Sequence, residues 1–313
     1  MNRNDTVYEH SGALGPAVAI LPLGGFFGLI VLSFIYAYIL VYSPIAGYIS
    51  ILFVVGFGFA LGFMASMLGY WGKCRNLFFL RLCGFTIGAL AVYVSWVIFI
   101  YALLNKDSDG PSEYNLVAML LSPGSIWSVI KNLNISGWYS IKSFTPSGVV
   151  LWIFWGIEAA IVIGMSTLLS TGSVTSEMFC ETCGKWCDSS ESFESGLPKE
   201  ELDADSIQDN ALKTLTACDR VSDQVYPRIH VGLFKCKTCD NIAGCKLEFV
   251  SVEYDKDGKA SEKRADLTSI IPLPYKDFEA LKALGSRPIK DPEIRNQPEE
   301  PKPTEKSETK DAS

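Results

Sequence analysis

Four apolar runs dominate the first half of this chain, and each can cross a hydrocarbon core, which takes about 20 residues of helix. They cover about residues 16–42, 47–70, 82–104 and 148–170. The first stops before Pro44, and only the fourth contains a charge, Glu158. A soluble core could contain one such run. Four in succession specify a polytopic α-helical membrane protein, with the lipid bilayer as its first partner. The charges divide accordingly, thirteen of the 61 charged side chains in residues 1–170 and 48 in 171–313. The second part counts 20 Lys and Arg against 28 Asp and Glu. That sign repels phosphate backbones, so no nucleic-acid partner is expected.

Loop charges orient the spans. The turn between the second and third runs holds Lys73, Arg75 and Arg81 without an acid, and the turn over 43–46 holds no charge. The loop over 105–147 holds three bases and three acids. This bias puts the Lys73/Arg75 turn and both termini in the cytoplasm, in a plasma or inner membrane. The tail over 1–15 is not a basic leader and the first run is too long for a cleaved signal, so that run reads as a signal anchor. In the outer loop, Ile126, Val129, Ile130 and Leu133 recur at helical spacing after Ser122-Pro123, and residues 114–121 are also apolar. With Trp127, Trp138 and Tyr139 nearby, one or two short interfacial helices are expected. Asn134-Ile135-Ser136 is a glycosylation sequon, relevant only in a eukaryotic secretory membrane.

Every span carries a pair or triplet of small residues four apart: Gly24/Gly28, Gly58/Gly62, Gly84/Gly88 and Gly156/Ala160/Gly164. Such spacing lets helix backbones approach closely. Packing within one bundle is the first reading, and a homo-oligomer the second. Glu158 falls near the middle of the fourth span, where an ionisable group costs several kcal/mol unless paired or protonated. Tyr93 and Ser95, midway along the third span, are candidate hydrogen-bond partners. Glu158 reads either as a carboxylate that handles protons or cations, or as a protonated group joining helices. The lack of an intramembrane His, Lys or Asp favours the second.

Seven of the nine cysteines lie after Ser170. Two pairs, Cys180/Cys183 and Cys236/Cys239, have the CxxC spacing of zinc knuckles, and four thiolates make a tetrahedral Zn²⁺ site. Cys187, Cys218 and Cys245 are alternate ligands. A reducing cytoplasm keeps such thiols available, and neither pair has the βαβ setting of a thioredoxin-like motif. Gly184 follows the first pair and permits the turn that aims backbone N–H groups at sulfur; Asn241 stands near the second. Lys185, Lys235, Lys237 and Lys246 would offset the net −2 of a Zn²⁺ with four thiolates. Residues 178–272 resemble a zinc ribbon, which implies a knuckle, a second knuckle at a strand end, and a hairpin. The chain differs from the compact pattern in the 52 residues between Cys183 and Cys236. That insert reads as helical and acidic over 198–220, and loop closure grows only logarithmically with length.

Alternation marks strands over 228–234 and 246–254, a turn over 255–258, and a return over 264–271 ended by Pro272 and Pro274. Residues 276–284 read as a helix with Phe278, Leu281 and Leu284 on one face. Residues 171–285 are thus expected to form a small α+β, zinc-ribbon-like cytoplasmic domain, and 286–313 a disordered tail rich in Pro, Glu, Lys and Ser. His10 and His230 are the only histidines, neither has an evident catalytic partner, and the common catalytic motifs are absent. No enzyme is expected. The first reading is a membrane-anchored docking or assembly module whose acidic domain meets a cytoplasmic protein partner. The alternative is a small transporter or channel working through Glu158, with a regulatory zinc domain.

Overall fold

The structure, a computed structural model, describes residues 7–43, 46–106, 114–137, 146–198, 211–256 and 259–290. It divides into a helical unit within residues 9–186 and a sheet unit that takes the chain from 187 onward together with Tyr8.

The four apolar runs form helices α1 (Ala17–Tyr42), α2 (Ala46–Trp71), α3 (Leu77–Asn105) and α6 (Gly148–Leu169). The shortest has 22 residues, about 33 Å at 1.5 Å per residue, so all four are long and apolar enough to cross a membrane. Helix α3 starts five residues before the expected span, because the Asn76 side chain caps it by accepting from Phe79 N. Helix α1 packs on α2 and α3, and α6 packs on the same two helices from the other side, giving a four-helix bundle. Outward faces stay apolar, with Phe27, Phe63, Phe78 and Ile153 more than half exposed, as a lipid environment requires.

Close approach decides where α6 lies. A Cβ on Gly62 would fall 2.8 Å from Leu169 Cβ and 2.8 Å from Met165 O, and one on Gly84 would fall 2.8 Å from Ser170 Cβ. The glycine pairs of α2 and α3 therefore admit the C-terminal half of α6 from two sides. Gly24 and Gly28 face Leu68 and Met64 of α2 in the same way. Gly156 and Gly164 have nothing within 4 Å of a built Cβ, so this stripe does not serve the bundle.

Between α3 and α6 lie α4 (Leu116–Leu120) and α5 (Pro123–Ser136), the two short helices expected. Ile126 and Ile130 are buried and Val129 and Leu133 half-buried. Trp127 meets Trp152 of α6 at 5.2 Å between ring centroids. Trp138 and Tyr139 lie outside the described residues. Asn134 is buried and its Nδ2 donates to Gly148 O at 2.8 Å, so the nitrogen a glycan would need is engaged at the start of α6.

At the opposite end of the helices, the N-terminal residues and the α2–α3 turn are bound together. Ala17 N donates to Gly72 O, Arg75 N to Ala13 O, and Asn76 Nδ2 to Gly12 O, at 2.7–3.1 Å. A short helix α7 (Gly172–Thr175) follows α6, with Ser173 N donating to Ser66 Oγ of α2 at 2.7 Å. The stretch over 9–16, the Lys73/Arg75 turn and the exit from α6 thus share one end of the bundle.

The sheet unit is a curled antiparallel sheet in the order β3 (Asp188–Ser195), β4 (Arg228–Lys235), β5 (Ala243–Tyr254), β6 (Ala260–Asp266), with β7 (Ile271–Leu273) also paired to β5. Ile229, Val231 and Leu233 alternate inward, meeting Phe193, Cys245, Leu247 and Ile271. Helix α9 (Tyr275–Gly285) covers this face with Phe278, Leu281 and Leu284, the face expected, and Leu215 of α8 (Ala211–Thr216) joins the core.

Three sheet features differ from expectation. Strand β3 was not anticipated, because only Phe193 of its eight residues is apolar. The return strand is two strands: β6 pairs with the outer half of β5, and β7 with the start of β5. Thr268 makes the break, its Oγ1 accepting from Leu247 N at 3.1 Å where a ladder partner would otherwise stand. Pro272 sits inside β7 opposite Gly244 rather than ending the strand, which an edge position tolerates. The expected turn at Asp257-Gly258 lies outside the described residues, as do 199–210 of the insert and 291–313 of the tail. Residues up to Lys290 are held, since Lys290 N donates to Arg220 O and Arg220 Nη1 to Arg287 O, both at 2.8 Å.

Candidate metal centre

The first CxxC pair is carried by a two-strand hairpin, β1 (Phe179–Cys180) and β2 (Lys185–Trp186), with Phe179 opposite Trp186 and Cys180 opposite Lys185. Gly184 adopts φ +61°, which favours glycine, and its N–H closes the turn on Cys180 O at 2.8 Å.

Contacts within the helical unit hold this hairpin on the end of α2. The Trp186 indole stacks on Tyr70 at 4.8 Å and 8°, and its Nε1 donates to Tyr70 O at 2.9 Å. Phe179 meets Trp186 edge-on at 5.0 Å and carries the Arg75 guanidinium 4.1 Å above its ring. Arg75 Nε also lies 2.9 Å from Glu181 Oε1, and Lys73 Nζ donates to Gly184 O at 2.7 Å. His10 joins from the N-terminal stretch, its Nε2 3.0 Å from Val174 O and its ring edge-on to Trp186 at 6.2 Å. Burial, the largest influence on it, pushes the His10 pKa below its ordinary value.

The second pair occupies the connection from β4 to β5, where Cys236 N donates to Ile242 O at 3.3 Å. Thr238 N points at Cys236 Sγ at 3.4 Å, the N–H to sulfur contact that orients a thiolate.

The Sγ atoms of Cys180, Cys183, Cys236 and Cys239 all lie within 4.8 Å of one another. A tetrahedral site with Zn–S bonds of about 2.3 Å places its sulfurs about 3.8 Å apart, so the four thiols already have the spacing of a metal site. Cys180 and Cys236 are buried, while Cys183 and Cys239 are half-buried. The alternates stand outside this cluster. Cys245 is a core side chain of β5 whose thiol burial pushes up to about 12, which disfavours the thiolate a metal needs. Cys218 Sγ donates to Thr214 O at 3.3 Å, and burial raises its pKa also. Cys187 is buried at the head of β3.

The lysines named from the sequence are partly engaged elsewhere. Lys246 pairs with Glu248 and Asp266, Lys237 with Asp188 at 3.3 Å, and Lys235 approaches Glu191 at 3.9 Å. His230 does have a partner: its Nδ1 lies 2.7 Å from Glu194 Oε1, while Arg228 Nε donates to Glu194 Oε2 and Arg228 Nη2 to Glu262 Oε2, both at 2.9 Å. This is a cross-strand charge network on β3, β4 and β6, with Arg228 only 2% exposed.

In the bundle, Ser95 shares a cavity with Glu158 and donates to Val92 O at 2.9 Å. The Tyr93 hydroxyl instead donates to Leu120 O of α4 at 2.7 Å. Sequence reasoning missed Tyr70, Lys73, Arg75 and Trp186 as supports of the first knuckle. Trp186, three residues past Cys183, was the available signal.

No protein-family model, curated protein or solved structure matches this chain.

Proposed function

We propose that the chain is a membrane-anchored zinc-binding module whose metal site stabilises a cytoplasmic platform for a protein partner. The observation that carries this is the convergence of four cysteine sulfurs within 4.8 Å. Four thiolates on two hairpin turns suit Zn²⁺ above other divalent ions, because zinc takes tetrahedral sulfur sites without geometric cost. The two knuckles on hairpins support the zinc-ribbon likeness. A structural role is favoured because a four-thiolate set leaves no open position for water or substrate. The histidines are engaged in a backbone contact and a cross-strand pair. A basic partner surface is the natural complement, since residues 199–210 alone carry five acids and one lysine.

Metal analysis of the full chain purified in detergent tests the reading, with the helical unit kept because it supports the first knuckle. About one zinc per chain is expected, falling to background in Cys236→Ser and unchanged in Cys218→Ser. A well-folded chain without stoichiometric metal would sink the proposal.

A further inference from the structure

Between the helices of the bundle lies a partly open cavity of about 60 Å³ lined from all four spans, by Tyr36 of α1, Phe57 of α2, Ser95, Trp96 and Phe99 of α3, and Trp155 and Glu158 of α6, with aliphatic side chains completing it. Its walls are aromatic and mutually braced. Trp96 stands edge-on to Trp155 at 4.9 Å and 82°, and to Phe99 at 5.8 Å and 79°. Tyr36 stacks on Phe57 at 4.4 Å and 3°. Glu158 is the only ionisable carboxyl in the lining, and it makes no hydrogen bond or ion pair among the described residues. No Lys, Arg or His lines the cavity either. A carboxyl at hydrocarbon depth is costly unless it is protonated or meets a compensating charge, and the residues lining this cavity supply no such charge.

We propose that this cavity binds a small organic ammonium ion, with Glu158 as the counter-charge and the aromatic walls as the cage. Ring faces attract cations, most strongly those of tryptophan, and a weakly hydrated ammonium gives up its water most readily. An inorganic cation fits poorly: beside Glu158, only the Ser95 and Tyr36 hydroxyls offer side-chain oxygen, whereas calcium takes six to eight oxygens and magnesium six. Size agrees as well. At ~10–15 Å³ for each water-sized occupant, the space holds about five heavy atoms, the size of a tetramethylammonium ion or an alkylammonium head group. The site is independent of the cysteine cluster.

The test uses the full chain in lipid nanodiscs, titrated with tetramethylammonium chloride and, separately, with neopentyl alcohol as a neutral probe of similar shape. Saturable binding of the cation is expected at least tenfold tighter than that of the alcohol. Glu158→Gln should weaken it at least tenfold, and Trp96→Phe several-fold, while sodium chloride at equal ionic strength should not displace it. The idea is overturned if the cation fails to saturate, if the alcohol binds equally well, or if Glu158→Gln binds as tightly. Displacement by sodium would also overturn it, by showing a site for inorganic cations. The comparison of charged and neutral probes needs no variant, so it decides the matter even if Glu158→Gln does not fold.

Discussion

Lys73 ends α2 in a left-handed conformation, φ 52°, at the position where glycine is usual. Its N–H returns to Tyr70 O and that of Cys74 to Gly69 O, the paired closure of a Schellman turn. The strained backbone costs about 1–2 kcal/mol for a residue with a Cβ. What the lysine adds is the charged hydrogen bond to Gly184 O, a contact of a kind that contributes about 1.5–3 kcal/mol. Lys73→Met keeps the strain and loses the bond, whereas Lys73→Gly loses both. Thermal melts followed by tryptophan fluorescence should therefore rank the wild type first, Lys73→Gly second and Lys73→Met last. Equal loss in the two variants would show that the φ carries no cost. Asn134 supports a second prediction. With its Nδ2 buried on Gly148 O, the sequon should stay unmodified in a secretory membrane, checked by mass before and after glycosidase. Asn134→Ala should cost about 0.5–1.5 kcal/mol through loss of the hydrogen bond to Gly148 O. The four clustered cysteines were legible because CxxC is a local pattern. Lys73–Gly184 and Trp186–Tyr70 were not, since they join positions more than 100 residues apart that share no spacing rule.

At the scale of elements, the spans and their glycine pairs were legible, but the direction each pair faces was not. Gly58/Gly62 and Gly84/Gly88 look like Gly156/Ala160/Gly164 in sequence, and only the bundle separates them. Gly62→Ala should therefore push α6 away from α2 and destabilise the bundle by about 1–3 kcal/mol, the usual cost of overpacking. Gly156→Ala, with open space at its Cβ, should stay within about 0.5 kcal/mol. Denaturation of both variants in the same detergent separates these outcomes, and comparable losses would contradict the packing described. Sheet elements were harder to read. Strands β4 and β5 announce themselves by alternating apolar residues, whereas β3 pairs through its backbone and offers one apolar side chain. The splitting of β6 from β7 depends on a single threonine hydroxyl, which no hydrophobic pattern encodes.

For the molecule as a whole, the unequal division of charge predicts an unequal response to acid. Residues 1–170 hold thirteen charged side chains, while the remainder holds 48, including the network around Arg228. Hydrogen bonds from Arg264, Arg228 and Tyr226 hold Glu262 down to about 2, from an ordinary 4.5. Burial pushes Glu194 up, but His230 and Arg228 outweigh it and its pKa lies below the ordinary value. A carboxyl depressed on folding stabilises the fold fully above its unfolded pKa, and that contribution fades as pH falls toward the folded one. The sheet unit should accordingly keep its stability from neutral pH down to about 4.5 and lose it between there and about 2. In the proposed metal-bound form, thiolate ligands would gain protons in the same direction, so metal release would add to the loss. The bundle, with few charges to titrate, should persist. Circular dichroism of the full chain in detergent should show helical signal retained at pH 3 while the near-ultraviolet signal of the sheet unit declines. Arg228→Met removes one partner from each carboxyl, so its stability should fall less steeply with acid than the wild type's, even from a lower starting value. A helical signal lost together with the sheet signal would mean that the two units unfold as one.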